Sequence, residues 1–376
     1  MQNLPVALLE EWMRQFYFDV DADIGSSGVA DYSLAELRAL LGIGTDELDA
    51  VVFHDSQTLG GTALRQALAR RWTGGHVERV MVTHGSTEAN FLVMNALLQP
   101  GDEVVVLDPV YPQLRAVAEA AGCRVREWAL RPERGWRPDL EELEGLVSHR
   151  TRMLVVNFPH NPTGATLTPA EQAELLRIVS RAGAWLVWDG AFAEVTYDAP
   201  ALPDPAQLYE RAVSMGTLSK AYGLPGLRVG WCLADPAVLQ RMVRLRDYLT
   251  LHLSPLVELL ARRAVEGADR ILAQRRAAAR RNRAVVEAWI GAQDGAVTWT
   301  PPAGGVCGFP RLHALEHTDA FCRALAREHR VLLVPGSCFG APGHVRLGFG
   351  GPAAALEAGL DRLSRALGAV RSPALV

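Results

Sequence analysis

The sequence predicts an α/β protein with a large domain, built on a mostly parallel sheet with crossover helices, and a smaller α+β domain drawn from both termini. Two observations predict it. From about Arg79 to Gly230, short apolar runs alternate with helical patterns, as parallel strands linked by crossovers require. The conspicuous polar residues of that stretch, Gly85-Ser86, Pro109 to Tyr111, Asn161, Asp189 and Thr217 to Lys220, fall just after apolar runs. Ligands of open α/β sheets gather at those strand ends.

In chain order, the predicted strands are Arg79–His84, Glu103–Asp108, Met153–Asn157, Ala184–Asp189, Ala212–Thr217 and Val229–Ala234. Helices Thr87–Leu98, Gln113–Ala121 and Pro169–Arg181 lie between them. Ser254 to Ile290 reads as long helical material, and its Arg275–Arg283 cluster as a solvated face. Strands Gly304–Phe309, Val331–Val334 and His344–Phe349 then alternate with helices His317–Glu328 and Ala353–Leu367. Met1 to Phe18 mixes Glu10, Glu11 and Arg14 into its apolar residues, the pattern of an amphipathic helix and not of a signal peptide. The expected division is 49–260 for the large domain, with 1–48 and 261–376 forming the small one.

Composition narrows the function. The chain has 376 residues, 49% of them hydrophobic and 21% charged, enough for one large or two moderate cores. A formal net charge of −4 offers no basic field for nucleic acid or anionic membrane, and no apolar run approaches membrane-spanning length. Small-molecule chemistry is the expectation. The five cysteines are scattered and never spaced C-x-x-C, so they read as reduced cytoplasmic thiols, with no metal expected.

Lys220 is the only lysine, although Lys and Arg together number 38. A guanidinium cannot deprotonate, whereas an amine can do so, attack a carbonyl and form a Schiff base. Codon bias would explain the scarcity of lysine, but not the survivor's place beside Thr217, Ser219 and a glycine-rich turn. His84-Gly85-Ser86-Thr87 ends a strand and opens a helix, where free N–H groups and the helix dipole suit a phosphate; the same residues also read as an ordinary N-cap. Arg228, Thr217 and Ser219 add a cation and hydroxyls. Asp189, after two tryptophans and a run of aliphatics, needs a partner for its charge, and a pyridinium nitrogen would supply one. It could instead cap the next turn. Tyr111 offers a flat face for stacking, Asn161 an amide for a phenolic oxygen, and Arg346 a fork for a substrate carboxylate.

Together these motifs resemble the aspartate aminotransferase superfamily, the fold type I enzymes that use pyridoxal 5′-phosphate. The likeness covers nearly the whole chain, in the order Gly85-Ser86-Thr87, Tyr111, Asn161 to Gly164, Asp189, Thr217 to Lys220, Arg228 and Arg346. It implies a homodimer with Lys220 as the cofactor-bound lysine. Two departures stand out. Phe192 occupies the place where many members carry a tyrosine that reaches the cofactor's phenolic oxygen, and segment 53–60 offers no tyrosine for a partner's phosphate.

Finer stretches, Ser26 to Val29, Trp188 to Phe192, Gly216 to Cys232 and Arg246 to Leu256, are similar to capreomycidine synthases of antibiotic pathways. That likeness implies cyclisation of (2S,3S)-3-hydroxyarginine with loss of water, beginning with removal of the α-proton by Lys220. An amino-acid aminotransferase, which would share every cofactor residue, is the alternative; a silent binding domain of the same fold is a third. Ser27 and Gly28 are expected near substrate. Asp31 and Tyr32 are candidates for guanidine contact, with Glu11 and Glu194 behind them. His160 is a candidate proton shuttle for the departing hydroxyl, or else a support for Asn161.

Overall fold

Seven strands form the central sheet of the computed structural model, which describes residues 4–371. Across the sheet they run Val80–Thr83, Gly230–Leu233, Ala212–Thr217, Trp185–Asp189, Thr151–Asn157, Glu103–Asp108 and Arg124–Ala129. All neighbours are parallel except at Gly230–Leu233, which is antiparallel to both of its partners. The strands are buried on both faces, so they read as continuous apolar runs. Alternate residues feed two cores: Val105, Leu107, Leu154 and Val156 pack on one side, and Val104, Val106, Met153 and Val155 on the other.

The six predicted strands are all present, to within two residues at each end. The seventh, Arg124–Ala129, was not predicted. Its sequence RVREWA places charges among apolar residues, because it is an edge strand with one exposed side. Local signals fix the crossover helices: Pro169–Ala182 opens on a reciprocal Thr168–Glu171 cap with proline in its first turn and stops at Gly183, whose φ is 66°.

The smaller part departs more from expectation. Ser254 to Ile290 is two helices, Pro255–Glu266 and Ala268–Gly291, broken at Gly267, where a Cβ would lie 2.3 Å from Leu41 Cδ2. The strand expected at Val331–Val334 splits at Leu333. Val331–Leu332 pairs in parallel with Ala22–Asp23, and Val334–Pro335 pairs with Val345–Gly348. The N-terminal segment therefore does rejoin the C-terminal region. Gly304–Phe309 contributes only the two-residue strand Cys307–Gly308, since Gly305 is left-handed, with φ 74°, and Gly304 packs against Pro159 too closely for a side chain. The amphipathic N-terminal stretch forms helix Leu8–Phe16, with Leu9, Trp12 and Phe16 buried. Met1–Asn3, the start of that stretch, lie outside the described residues.

Candidate active site

The carboxyl ends of the central strands open into a cavity of about 850 Å³, whose walls include Ser86, Thr87, Tyr111, Asn161, Asp189, Thr217, Ser219, Lys220, Arg228 and Arg346. One end is made for an anion. Helix Gly85–Leu97 begins there, so its first N–H groups are free to face a ligand. Arg228 is held in the left-handed region, with φ 53°, and its Nη1 reaches Ser219 Oγ at 3.3 Å. The cradle is tight. A Cβ at Gly85 would meet Arg228 Nη2 at 2.6 Å, and one at Gly230 would meet Ser86 N at 2.6 Å. Thr217 Oγ1 accepts from the Ser219 backbone N–H at 3.1 Å, which fixes the turn leading into Lys220.

The middle of the cavity holds a carboxylate, an amine and an aromatic plate. Asp189 accepts the Ala191 N–H at 2.9 Å, and burial pushes its pKa up to about 6, opposed by that hydrogen bond and by Lys220. A cationic ring nitrogen facing it would reverse the shift. Lys220 Nζ donates to Ser27 Oγ at 3.1 Å, and burial, followed by the charge of Arg346, lowers its pKa to about 8. Its free amine is thereby made accessible near neutral pH. Tyr111 stands over this region with its hydroxyl bonded to Glu10 Oε1 at 2.8 Å.

The far end is cationic. Arg346 is buried, donating from Nε to Gly25 O at 2.9 Å and from Nη1 to Asn161 Oδ1 at 3.3 Å. Its remaining N–H groups are available to a carboxylate. Ser27 and Gly28 also line the cavity, carried by a loop that packs hard against the last strand. A Cβ at Gly348 would lie 1.8 Å from Ser26 O, and one at Gly350 2.2 Å from Gly28 O.

These residues fit pyridoxal 5′-phosphate. The glycine-lined cradle at the helix start would suit the phosphate, Asp189 the ring nitrogen, Tyr111 a face of the ring and Lys220 the aldehyde. Beyond them the cavity retains room for an amino acid.

The structure corrects four expectations. His160 does not line the cavity: its Nε2–H donates to Pro109 O at 2.6 Å, its Nδ1 accepts from Thr163 Oγ1 at 2.7 Å, and burial lowers its pKa to about 4. With both nitrogens engaged it cannot shuttle protons, and it instead braces the Asn161 loop. Tyr32 lies behind the wall, its hydroxyl on Gln274 at 3.0 Å and its ring under the Arg275 guanidinium. Glu194 is tied to Arg71 and Tyr222, beside a second, smaller cavity. Glu11 lies off the cavity, and its neighbour Glu10 occupies the wall. Asp31 does line it, its pKa raised chiefly by burial.

Sequence reasoning missed two participants. Asn157 donates to Asp189 O and accepts the Asn161 N–H, both at 2.8 Å, so one amide sets the spacing of two site residues. Glu10 was legible in principle. Glu10, Met13, Arg14 and Tyr17 recur at helical spacing and all line the cavity.

Comparisons with known proteins agree with this geometry. The aminotransferase class I and II family matches residues 37–363. The capreomycidine synthase of Streptomyces vinaceus is 50% identical over 371 residues, 98% of this chain and 95% of that one. The arginine–pyruvate transaminase AruH of Pseudomonas aeruginosa is 32% identical, covering 81% of this chain and 79% of its own. Among solved structures, the PLP-dependent cyclase OrfR superposes with a TM-score of 0.93 at 46% identity, over 100% of this chain and 99% of its own.

Proposed function

The chain belongs to the aminotransferase class I and II family, and from that membership we propose that it is a pyridoxal-phosphate-dependent capreomycidine synthase of antibiotic biosynthesis. It converts (2S,3S)-3-hydroxyarginine into capreomycidine with loss of one water. The observation that carries this reading is the 50% identity to such a synthase across 98% of the chain.

When bound, pyridoxal 5′-phosphate supplies an electron sink for the charge left at the substrate's α-carbon. The protein's own groups do the rest. The start of helix Gly85–Leu97, with Ser86, Thr87, Ser219 and Arg228, holds the phosphate. Asp189 would keep a proton on the ring nitrogen and Asn161 would meet the ring's phenolic oxygen, while Asn157, bonded to both residues, sets their spacing. Arg346 grips the substrate α-carboxylate, which orients the Cα–H bond toward Lys220. Lys220 Nζ, anchored by Ser27, takes that proton. The 3-hydroxyl leaves Cβ as hydroxide, and a guanidine nitrogen closes the ring there with the proximity advantage of an intramolecular attack. The proton that nitrogen gives up completes the departing water, and Lys220 returns the α-proton to Cα.

The large domain spans 49–260, and the small one 1–48 with 261–376. The working unit is a homodimer. Val52, Phe53, Tyr248, Leu249 and Leu251 are exposed, and their two segments are joined by His252 Nε2 and Asp55 Oδ1 at 3.1 Å, which gives an apolar patch for a second copy. Among the described residues no helix is long and apolar enough to cross a membrane. The five cysteines are free, in keeping with a cytoplasmic setting.

The test is incubation of the holoenzyme with (2S,3S)-3-hydroxyarginine and no 2-oxoacid. Capreomycidine is the expected product. Amino-group exchange that depends on an added oxoacid, with no cyclic product, would assign the chain instead to transamination, as the likeness to AruH allows.

A further inference from the structure

We propose that Glu10 is the specificity residue that receives the substrate's guanidinium, in the same cavity whose Arg346 receives its carboxylate. This deepens the reading above, since it rests on an arginine-like substrate.

Helix Leu8–Phe16 is pinned by its buried face and by Trp12 Nε1, which donates to Leu333 O at 3.0 Å. The pinning turns the stripe Glu10, Met13, Arg14 and Tyr17 toward the cavity. Glu10 Oε1 accepts from the Tyr111 hydroxyl at 2.8 Å, so the carboxylate sits at the rim of the plate that covers the cofactor. Its Oε2 has no partner among the described residues. Glu10 is close enough to influence the charges of both Lys220 and Arg346, yet forms no ion pair with either.

The other carboxylates of the cavity differ in how far they are engaged. Asp189 faces the cofactor ring. Asp23 Oδ1 accepts the N–H groups of Gly25 and Ser26 at 2.9 and 2.8 Å and so shapes the Ser27 loop. Asp31 shares the field of Arg275, the guanidinium packed on Tyr32. Glu10 presents a free carboxylate oxygen beside the Tyr111 ring, and Asp31, whose charge Arg275 offsets, is the competing carboxylate that the experiment must separate from it. An amino acid held by Arg346 and carrying a cationic side chain meets a complementary charge at each end, whereas a neutral side chain leaves Glu10 without a partner. A site that hydrogen-bonds a substrate group rejects analogues lacking it far better than an apolar pocket could.

The experiment titrates the holoenzyme with L-arginine and with L-norvaline, which has an alkyl side chain and no guanidinium. Binding is read from the change in the cofactor's visible absorbance. Glu10→Gln keeps an acceptor for the Tyr111 hydroxyl and removes only the charge. The expected result is a loss of affinity for L-arginine of about tenfold to a hundredfold, the range for a lost charge-assisted hydrogen bond, with L-norvaline unchanged. Equal losses for both ligands would mean that Glu10 acts only by holding Tyr111, and would overturn the proposal. So would an unchanged arginine preference, or a selective loss found in Asp31→Asn instead. The two readings fail separately: a wild-type protein that prefers arginine but yields no capreomycidine sinks the reaction and leaves Glu10 its role, while active cyclase with an indifferent Glu10→Gln sinks this inference alone.

Discussion

The cofactor wall of the cavity draws its side chains from the ends of regular strands and the turns after them, whereas the substrate wall draws them from a helix, a loop and a strand contributed by both ends of the chain. On the cofactor wall, most positioning bonds are local, Thr217 to Ser219, Asp189 to Ala191 and Asn157 to Asn161, and Asn157 to Asp189 crosses only between neighbouring strands. On the substrate wall they span the sequence. Tyr111 reaches Glu10 across 101 positions, Lys220 reaches Ser27 across 193, and Arg346 reaches Gly25 across 321. Common chemistry is thus held by short-range order, and selectivity by the closure of the whole fold.

The largest expected break falls on the cofactor wall. Lys220→Arg keeps a positive charge but loses the only side-chain amine able to give up its proton, so turnover should fall to background and borohydride should fix no cofactor at position 220. In the wild-type protein the lysine loses its proton near pH 8, below the ordinary 10.5. The reactive amine therefore grows as pH rises through 8, and cofactor capture by the cofactor-free protein should be about tenfold slower at pH 7 than at pH 9. A flat profile would refute that placement of the lysine.

Asp189→Asn comes next. Loss of the buried carboxylate should lower kcat by on the order of 10²–10³, the scale of a lost preorganised electrostatic partner, with a smaller change in KM. Steady-state kinetics decide it.

His160→Phe tests the boundary between the two walls. Two hydrogen bonds in a buried place are lost, leaving the Pro109 carbonyl without a partner and the Thr163 hydroxyl with only the Ala165 N–H it accepts, at a cost of about 1–3 kcal/mol, seen as a lower midpoint in denaturant. Activity should change less than in Asp189→Asn; the opposite ranking would restore His160 as a proton carrier. The sign of the pH effect follows from its depressed pKa of about 4. The unfolded chain protonates near 6.5 and the folded one near 4, so wild-type stability falls as pH drops through that window, and the variant should lose that part of the dependence.

The smallest effect belongs to Phe192→Tyr. A hydroxyl near the cofactor's phenolic oxygen should lower the pH midpoint of the bound cofactor's colour change by up to about one unit, the equivalent of a single hydrogen bond. An unchanged midpoint would remove Phe192 from the account of the site.

The asymmetry of the walls also explains what could be read before the fold was known. Asp189, Lys220 and Arg228 stand in contiguous motifs at strand ends, so alternation of apolar runs was enough to place them. Glu10 and Glu11 are neighbours in sequence but differ by about 100° around a helix, and the packing of Leu9, Trp12 and Phe16, with the bond of Trp12 to Leu333, decides which one turns inward. Tyr32 and Glu194 looked available because their partners, Arg275 and Arg71, lie 243 and 123 positions away. Such pairings leave no trace in local pattern. The edge strand Arg124–Ala129 escaped for a related reason, since one side of it meets solvent and mixes charge into its run.

The solitary ammonium side chain has a practical corollary for loading the protein with its vitamin-derived aldehyde. Aldehydes condense indiscriminately with surface amines, and most proteins offer dozens. Here every exposed cationic side chain is a guanidinium or an imidazole, so apart from the terminal amine nothing competes with the buried acceptor. Even a large excess of the vitamin should saturate at one tightly held equivalent per chain, without the off-site adducts that blur such titrations elsewhere.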